Sequence, residues 1–174
     1  PPLVSIGLPI YNGEKWLDQA IKSLTEQNYE NYEILIADDC SNDKSLDICL
    51  KYGKQFPKIN IERNSTNLGS IGNFKKTLRK ANGKYFVYAS QDDFWEHDFI
   101  STLVNKLEEN SSTIMAMGRT YIHADNDESI REVQLIHNLS FNQCNLFTQG
   151  LYLVYPFKRG KFIKNNLFLI ICSL

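Results

Sequence analysis

Short apolar runs alternate with stretches of helical periodicity from the start of the chain to about residue 122. Strands that are connected through helices form a mostly parallel sheet with helices on both faces. The pattern predicts strands at 3–11, 32–38, 59–63, 84–90 and 113–122. Helices are predicted after Gly13, after a cap at Ser41 or Asn42, at 70–81 and at 97–110. The predicted fold class is therefore α/β, with three layers around a mostly parallel central sheet.

The helical stretches also predict which side chains enter the core. Leu46, Cys49 and Leu50 are expected on the inner face of the second helix. Trp16 lies on the apolar stripe of the first helix and is expected to be a core residue. Trp95 follows the fourth strand, and we interpret it as core packing under the next helix rather than as a platform for a sugar.

Length and composition limit the classes of protein to consider. The 174 residues, 43% of them hydrophobic, are enough for one buried core, and a second domain is not expected. The net charge of -1 excludes the strongly basic surface of a nucleic-acid-binding protein. The four cysteines form no C-x-x-C pair, which favours free thiols over a zinc site. Neither a signal-peptide pattern nor a run of about 18 apolar residues occurs, so a cytoplasmic location is expected.

Four polar loops follow the first four predicted strands, at residues 9–12, 38–41, 64–73 and 90–93. Because ligands bind at the carboxyl ends of the strands in an open parallel sheet, these loops are expected to form one site. Its acidic residues are Asp38, Asp39, Asp92 and Asp93. Like charges gathered at one edge need a counter-charge, and a hard divalent ion with oxygen ligands, Mg²⁺ or Mn²⁺, is the natural one.

The phosphate-binding motifs of several other α/β proteins are missing from the sequence. The loop after the first strand has no G-x-G-x-x-G, so a dinucleotide-binding dehydrogenase fits poorly. No Walker loop is present, which excludes a P-loop ATPase. The first loop also contains no Asp, whereas a phosphatase with an aspartyl nucleophile requires Asp-x-Asp there. The acidic edge therefore needs a different explanation.

Two long segments resemble a known family. They are "VSIGLPIYNGEKWLDQAIKSLTEQNYENYEILIADDCSND" and "NLGSIGNFKKTLRKANGKYFVYASQDDFW". They resemble the nucleotide-sugar-binding half of a family 2 glycosyltransferase with the GT-A fold, and the form "QDDFW" is similar to bacterial rhamnosyltransferase-like members that build surface polysaccharide. The resemblance implies a single GT-A-like domain over 1–174, with the nucleotide-sugar-binding part at 1–118 and a partial acceptor-side part at 119–174.

The resemblance implies a nucleoside pocket on the first two loops. Pro9 and Tyr11 would line this pocket, with Tyr11 packing near the base. Asp39 would accept a hydrogen bond from the imide N–H of uracil or thymine. That contact would select against bases that lack this donor.

The resemblance also implies a site for the ribose, the diphosphate and a metal ion. Asn67, Gly69 and Asn73 would shape the loop and the helix start near the ribose and diphosphate. Asp92 would reach the ribose or the metal, and Asp93 would ligate the Mn²⁺ or Mg²⁺ ion that bridges the diphosphate. The paired acids would then hold a metal against phosphate.

The implied reaction is inverting transfer of a sugar from a UDP- or dTDP-sugar to a glycan or lipid-linked acceptor. Members of the family supply a general base from a Glu-Asp motif well after the metal site, and no such pair follows Asp93. Asp125, Asp127 and Glu128 are substitutes, although a solvated loop is the favoured interpretation of that segment. Two alternatives stay open, a catalytically incomplete nucleotide-sugar-binding fragment and, less favoured because "PIYNGEK" matches it poorly, a sugar nucleotidyltransferase.

A basic stretch near the end of the sequence carries Lys158, Arg159, Lys161 and Lys164, followed by an apolar run. A solvated charge cluster beside a core strand is favoured over a contact with a membrane surface. The second interpretation would place the protein at the inner face of the membrane.

Overall fold

The computed structural model describes residues 1–109, 115–117, 120–124, 127–133 and 170–173. In chain order the elements are β1 (Val4–Ile10), α1 (Leu17–Thr25), β2 (Tyr32–Asp38), α2 (Ser45–Gln55), β3 (Ile59–Arg63), α3 (Gly69–Arg79), β4 (Tyr85–Tyr88), α4 (Phe99–Glu108), β5 (Met115–Met117), β6 (Thr120–Ala124), β7 (Asp127–Val133) and β8 (Ile170–Ser173). One compact unit contains 1–118 and 166–174, and a second contains 119–165.

The first unit is built on a six-stranded sheet with the order β3-β2-β1-β4-β8-β5. Strand β1 pairs in parallel with β2 and β4, and β2 pairs in parallel with β3. Strand β8 is antiparallel to both of its neighbours, β4 and β5, so the other five strands run in the same direction. The prediction of an α/β fold with a mostly parallel sheet is confirmed.

Helices cover both faces of this sheet. Every residue of β1 is buried, as expected for a strand with neighbours on both sides and helices on both faces. On one face, the strands share a single apolar cluster with side chains from α1, α2 and α4. On the other face α3 packs against β1 and β2. Thr77 of α3 lies so close to Gly7 that there is no room for a side chain at Gly7.

The prediction of one strand over 113–122 is wrong. The structure has two strands there, and they belong to different sheets. Strand β5 pairs with β8 in the large sheet, whereas β6 pairs with β7 in a separate two-stranded sheet. In the sequence Gly118 and Arg119 interrupt the apolar run, and the local pattern contains no information about the strand with which each half pairs.

Two of the five core residues predicted above are buried, and Leu46 is half-buried. Cys49 is buried, and Trp95 is only 5% exposed and packs against Phe99 with ring centroids 4.8 Å apart. Leu50, by contrast, is 45% exposed, so its prediction is wrong. The buried residues of α2 are its first residue, Cys49 four positions later and one residue three positions after Cys49, and this spacing places them on one face of the helix. Leu50 directly follows Cys49 and therefore lies beside this face. Trp16 is half-buried rather than a full core residue.

Gly83 marks a close approach between the start of β4 and the neighbouring backbone. It follows the third helix, which was predicted over 70–81 and ends at Arg79 in the structure. A Cβ on Gly83 would lie 2.7 Å from Ser5 N and 2.7 Å from Tyr85 O. Because these atoms are backbone, they cannot move aside as a flexible side chain could.

Replacing Gly83 by Ala is therefore expected to lower the free energy of unfolding by about 1–3 kcal/mol, as overpacking does. Urea denaturation measures this change. Gly53→Ala is the matched control, since its new Cβ would meet only the end of the Ile61 side chain, and Ala favours the interior of α2 by up to about 1 kcal/mol. Equal stabilities for Gly83→Ala and the unchanged protein would contradict the packing argument.

Several predictions fall on residues that the structure does not describe. They are the basic residues Lys158, Arg159, Lys161 and Lys164 and the carboxylate of Asp125. Asp127 and Glu128 lie in β7, where the structure describes the backbone. In the part of the chain that is described, no helix has the length and apolar character needed to cross a membrane.

Candidate functional site

The structure brings the loops after β1, β2, β3 and β4 together at the carboxyl edge of the sheet. The loop after β1 lies directly on the start of α2. The N–H of Asn12 donates to Ser41 Oγ at 3.0 Å, and the N–H of Gly13 donates to Ser45 Oγ at 2.8 Å. The prediction that Ser41 or Asn42 caps α2 is therefore wrong, because α2 begins at Ser45 without a side-chain cap and Ser41 bonds to the neighbouring loop.

The residues proposed for the nucleoside pocket occupy different depths. Pro9 is buried within β1, while Tyr11 follows this strand at the rim and is 48% exposed. Asp39 is 2% exposed, and its N–H donates to Ile10 O at 2.9 Å. The predicted pocket residues thus include an exposed aromatic side chain and a buried carboxylate.

The Asp39 carboxylate has one oxygen held by the protein. Its Oδ1 accepts a hydrogen bond from Asn64 Nδ2 at 2.6 Å and another from the N–H of Leu68 at 2.7 Å. The other oxygen, Oδ2, accepts no hydrogen bond from the described residues. Two donors on one oxygen fix the orientation of the carboxylate and leave its second oxygen as an acceptor for a ligand.

Asn73 is part of the framework beneath this carboxylate. It is 3% exposed, and its amide donates to Ala37 O at 2.8 Å and to Ile10 O at 3.3 Å. Its Oδ1 accepts from Asn64 Nδ2 at 3.0 Å, and Asn64 in turn accepts from Lys76 Nζ at 2.7 Å. Both amide hydrogens of Asn73 are thus used by the backbone, so its contribution to the site is to hold the strand ends in place.

Asn67 and Gly69 shape the loop that leads into α3. Asn67 Nδ2 donates to Asp39 O at 3.2 Å, and its Oδ1 accepts from the N–H of Gly69 at 2.9 Å. Gly69 has φ +70, a left-handed conformation that glycine adopts without strain. Both residues are exposed at the same edge as Tyr11 and Asp39.

Asp38 is held inside the protein rather than presented to a ligand. It is fully buried, its Oδ1 accepts from the N–H of Ser41 at 3.2 Å, and its Oδ2 lies 3.4 Å from Arg63 Nε. This second contact is an ion pair without hydrogen-bond geometry. Arg63 also donates to Ser41 O at 2.8 Å, so Asp38 and Arg63 together brace the loop that carries Asp39.

The acidic pair after β4 has a different environment. Asp92 is half-buried and its Oδ1 accepts from Ser90 Oγ at 2.5 Å. Asp93 is 5% exposed, and within the described residues no donor contacts its carboxylate. Burial, and then the charge of Asp92, raise the pKa of Asp93 to about 7. A buried carboxylate without a donor, beside a second acid, is an arrangement that a cation would stabilise.

A metal ion at this pair would need ligands from outside the described side chains. Among those side chains no group of three or more His, Cys, Asp and Glu could hold a metal. Asp92 and Asp93 offer two carboxylates of the oxygen type that Mg²⁺ and Mn²⁺ prefer, and Mg²⁺ commonly takes one or two carboxylates together with substrate phosphates. The residues present therefore fit an ion that a phosphate ligand helps to hold.

Sequence reasoning missed two polar residues that organise the site. Asn64 connects Asp39 to α3, and Gln91 connects the acidic loop to the loop after β1. The Gln91 Oε1 accepts the N–H of Tyr11 at 2.9 Å, and its Nε2 donates to Tyr11 O at 3.2 Å. Both residues act on partners distant in the sequence, so no local pattern could have revealed their contacts.

The sequence matches a protein family. The model of the family "Glycosyl transferase family 2" matches residues 5–172. A putative teichuronic acid biosynthesis glycosyltransferase of Bacillus subtilis, TuaG, is 29% identical over 124 residues, which are 71% of this chain and 49% of TuaG. The dTDP-rhamnosyl transferase RfbG of Shigella flexneri is 34% identical over 107 residues, which are 59% of this chain and 37% of RfbG.

A solved structure shares the fold. The chain is similar to S. aureus TarS, residues 1–349, in complex with UDP-GlcNAc, with a TM-score of 0.59 and 25% sequence identity. The similarity covers 62% of this chain and 32% of the TarS chain. The matched residues thus span about a third to a half of TuaG, of RfbG and of the TarS chain of residues 1–349.

Proposed function

This chain belongs to glycosyl transferase family 2, and from that membership we propose that it binds a UDP- or dTDP-sugar and takes part in transfer of the sugar to a glycan or lipid-linked acceptor. One observation carries the proposal. The buried Asp39 has one oxygen fixed by two donors and one oxygen open, and the acidic pair Asp92 and Asp93 lies after β4 at the same edge of the sheet. A ligand with an imide N–H at one end and a diphosphate at the other would use both features.

The base end of the ligand would be read by Asp39. The open Oδ2 would accept the imide N–H of uracil or thymine, and Tyr11 at the rim would pack near the base. Guanine also carries a ring N–H, but its larger bicyclic ring and its amino group differ in shape from a pyrimidine. The complex of TarS with UDP-GlcNAc and the name of RfbG support a uridine or thymidine donor.

The diphosphate end would lie near Asp92 and Asp93, which would hold Mg²⁺ or Mn²⁺. Bound there, such an ion would supply positive charge against the leaving diphosphate. Ser90 would keep the orientation of Asp92 through its hydroxyl, and Asp93 would bind in its ionised form. Asn67 and Gly69 would shape the rim of the loop near the ribose.

The transfer we propose is inverting. An acceptor hydroxyl loses its proton to a base and attacks the anomeric carbon, while the bond from that carbon to the diphosphate oxygen breaks. We assign no described side chain to the base. In this proposal residues 1–118 bind the donor and residues 119–174 belong to the acceptor side, and the name of TuaG supports a role in bacterial surface polysaccharide synthesis. We propose a cytoplasmic location, with a contact of the basic stretch at 158–164 to the inner face of the membrane as the less favoured alternative to a solvated charge cluster.

Calorimetry with UDP, dTDP, GDP and ADP, each with and without Mn²⁺, tests the proposal. UDP and dTDP are expected to bind at least about tenfold more tightly than GDP and ADP, a difference of about 1.4 kcal/mol. Mn²⁺ is expected to strengthen the binding of both. Equal affinity for all four nucleotides, or no binding, would refute a pyrimidine-nucleotide donor. Binding without sugar transfer to any acceptor would favour the alternative of a nucleotide-sugar-binding fragment.

Replacing Asp39 by Asn is expected to weaken UDP binding by about 1–3 kcal/mol, because a buried hydrogen bond to the base is lost. The amide can still accept from Asn64 and Leu68 through one oxygen, but it would then present an N–H group to the imide N–H. Calorimetry measures the change. Asp47→Asn, an equal charge change at an exposed position of α2, is the matched control. Unchanged affinity in Asp39→Asn would remove Asp39 from the site.

A further inference from the structure

We propose that Gln91 is a positioning residue that sets the spacing between the nucleoside pocket and the acidic pair. The inference rests on the proposed function and deepens it. Gln91 would touch neither the base nor the diphosphate. It would act by fixing the backbone of Tyr11 relative to Asp92 and Asp93, so that one nucleoside diphosphate reaches both ends of the site.

The contact between Gln91 and Tyr11 has the geometry of a backbone pair. The side-chain amide of Gln91 accepts from the Tyr11 N–H at 2.9 Å and donates to the Tyr11 carbonyl at 3.2 Å, across 80 residues of sequence. Two opposite hydrogen bonds to a single residue fix both its distance and its orientation. Gln91 also directly precedes Asp92 in the sequence. No flexible segment therefore separates its contact with Tyr11 from the acidic pair.

Among the described residues, no other hydrogen bond joins residues 90–93 to residues 10–13. The loop after β1 is otherwise held from the opposite side, where the N–H groups of Asn12 and Gly13 donate to Ser41 and Ser45. The acidic loop has its own internal contacts, from Ser90 to Asp92 and from the Asp93 N–H to Ser90 O. Strands β1 and β4 pair directly below these loops, so loss of the Gln91 amide would leave both loops formed and remove the hydrogen bonds between them.

A ligand that spans two loops is sensitive to their spacing in a way that a smaller ligand is not. UDP with a metal ion engages both ends of the site, and once one end is bound the other is held at high effective concentration. Uridine has no phosphate and engages only the nucleoside pocket. A change in the spacing of the loops should therefore weaken the binding of UDP strongly and the binding of uridine hardly at all.

Gly13 provides a second way to disturb the same contact without changing Gln91. A Cβ at Gly13 would lie 2.6 Å from Cδ and 2.6 Å from Oε1 of Gln91. Because the contact is with the end of a flexible side chain, Gly13→Ala would be accommodated by displacement of Gln91. The Gly13 N–H could still donate to Ser45, so the loop would keep its contact with α2.

Gln27 offers a matched control elsewhere in the same unit. It is 8% exposed, its Nε2 donates to Ser23 O and Glu96 O at 3.1 and 2.8 Å, and its Oε1 accepts from the N–H of Ile100 at 3.1 Å. Gln27→Ala also removes glutamine bonds to distant backbone, but it leaves the spacing of the two loops unchanged. Any general loss of stability should appear in this variant.

The experiment measures the affinities of UDP with Mn²⁺ and of uridine for the unchanged chain and for Gln91→Ala, Gly13→Ala and Gln27→Ala, together with their melting temperatures. Gln91→Ala and Gly13→Ala are expected to lose about tenfold in UDP affinity and less than about twofold in uridine affinity, consistent with the loss of effective concentration. Gln27→Ala is expected to keep the ratio of the two affinities, whatever its melting temperature.

The possible outcomes separate this inference from the function on which it rests. If the unchanged chain does not bind UDP, the proposed function fails first. If it binds UDP and the two site variants bind it equally well, the positioning role alone is overturned. Equal losses of UDP and uridine affinity would also overturn it, because Gln91 would then belong to the nucleoside pocket itself. If Gln91→Ala does not fold, Gly13→Ala decides the question through the same two ligands.

Discussion

Replacing Asp93 by Asn is expected to abolish the Mn²⁺ dependence of UDP binding while leaving the affinity for uridine nearly unchanged. The carboxylate is buried and, within the described residues, receives no hydrogen bond, so its negative charge is available to a cation. A neutral amide of the same shape removes that charge. The loss of UDP affinity in the presence of Mn²⁺ should be about 2–4 kcal/mol, the scale of a metal ion acting on phosphate charge.

Calorimetry with UDP and with uridine, each with and without Mn²⁺, measures this effect. Uridine is the internal control, because its pocket lies on the loops after β1 and β2. Glu96→Gln is the matched variant, since Glu96 is an exposed acid three residues further along the chain. If Asp93→Asn loses uridine and UDP affinity equally, Asp93 is a structural residue of the turn and not an ion ligand.

The environments of the acidic residues explain how far the sequence could predict the site. The sequence placed four carboxylates at the ends of two strands, and the structure brings the loops that carry them to one edge. It also separates their roles, since Asp38 is paired with Arg63, Asp39 receives two donors on one oxygen, and Asp93 receives none from the described residues. The partners of Asp38 and Asp39 come from the end of β3 and from the loop that follows it. In the sequence, however, all of these carboxylates have the same local pattern, which is an acidic residue that follows an apolar strand.

The amide side chains of Asn73 and Gln91 have contacts that the sequence could not predict. Asn73 was assigned to the ribose and diphosphate region through the family resemblance, whereas its amide hydrogens bind the carbonyls of Ala37 and Ile10 inside the protein. Gln91 carried no expected role, although it joins two loops of the site. Amide side chains have no charge and no periodicity that would indicate a function. Their roles depend on the partner that the fold places beside them.

The fold was predictable where the signal is local. Strands β1, β2 and β4 are apolar runs, β3 alternates apolar and polar residues, and amphipathic helices connect them, so that a parallel sheet follows from those connections. The GT-A type of fold implied by the resemblance is confirmed by the similarity to TarS. Strand β8 was not predictable in the same way, because it inserts between β4 and β5 from a distant part of the chain. An apolar run indicates burial, but it does not indicate the neighbour.

Asp93 is expected to lower the stability of the metal-free protein, although its proposed role is to bind a metal ion. Burial and the charge of Asp92 raise the pKa of Asp93 from 3.8 to about 7. Below pH 3.8 this carboxyl is protonated in the folded and unfolded chains, and it carries no penalty. As the pH rises toward 7, the unfolded chain releases the proton while the folded chain keeps it. The free energy of unfolding therefore falls through this window and then stays lower, by about 1.4 kcal/mol for each unit of separation between the two pKa values.

Asp93→Asn is expected to remove this penalty, so the variant should be more stable than the unchanged chain by about 2–4 kcal/mol at pH 8 in metal-free buffer. At pH 4 the two proteins should differ by less than about 1 kcal/mol, because the penalty is almost absent there. Urea denaturation in EDTA at both pH values measures the difference, and Asp47→Asn should show no comparable change with pH. A variant with the same advantage at both pH values would contradict the argument, since the gain would then come from packing and not from charge. Asp93→Asn is thus expected to gain stability and to lose the Mn²⁺ dependence of UDP binding. A residue that serves ligand binding and lowers the stability of the fold behaves in this way.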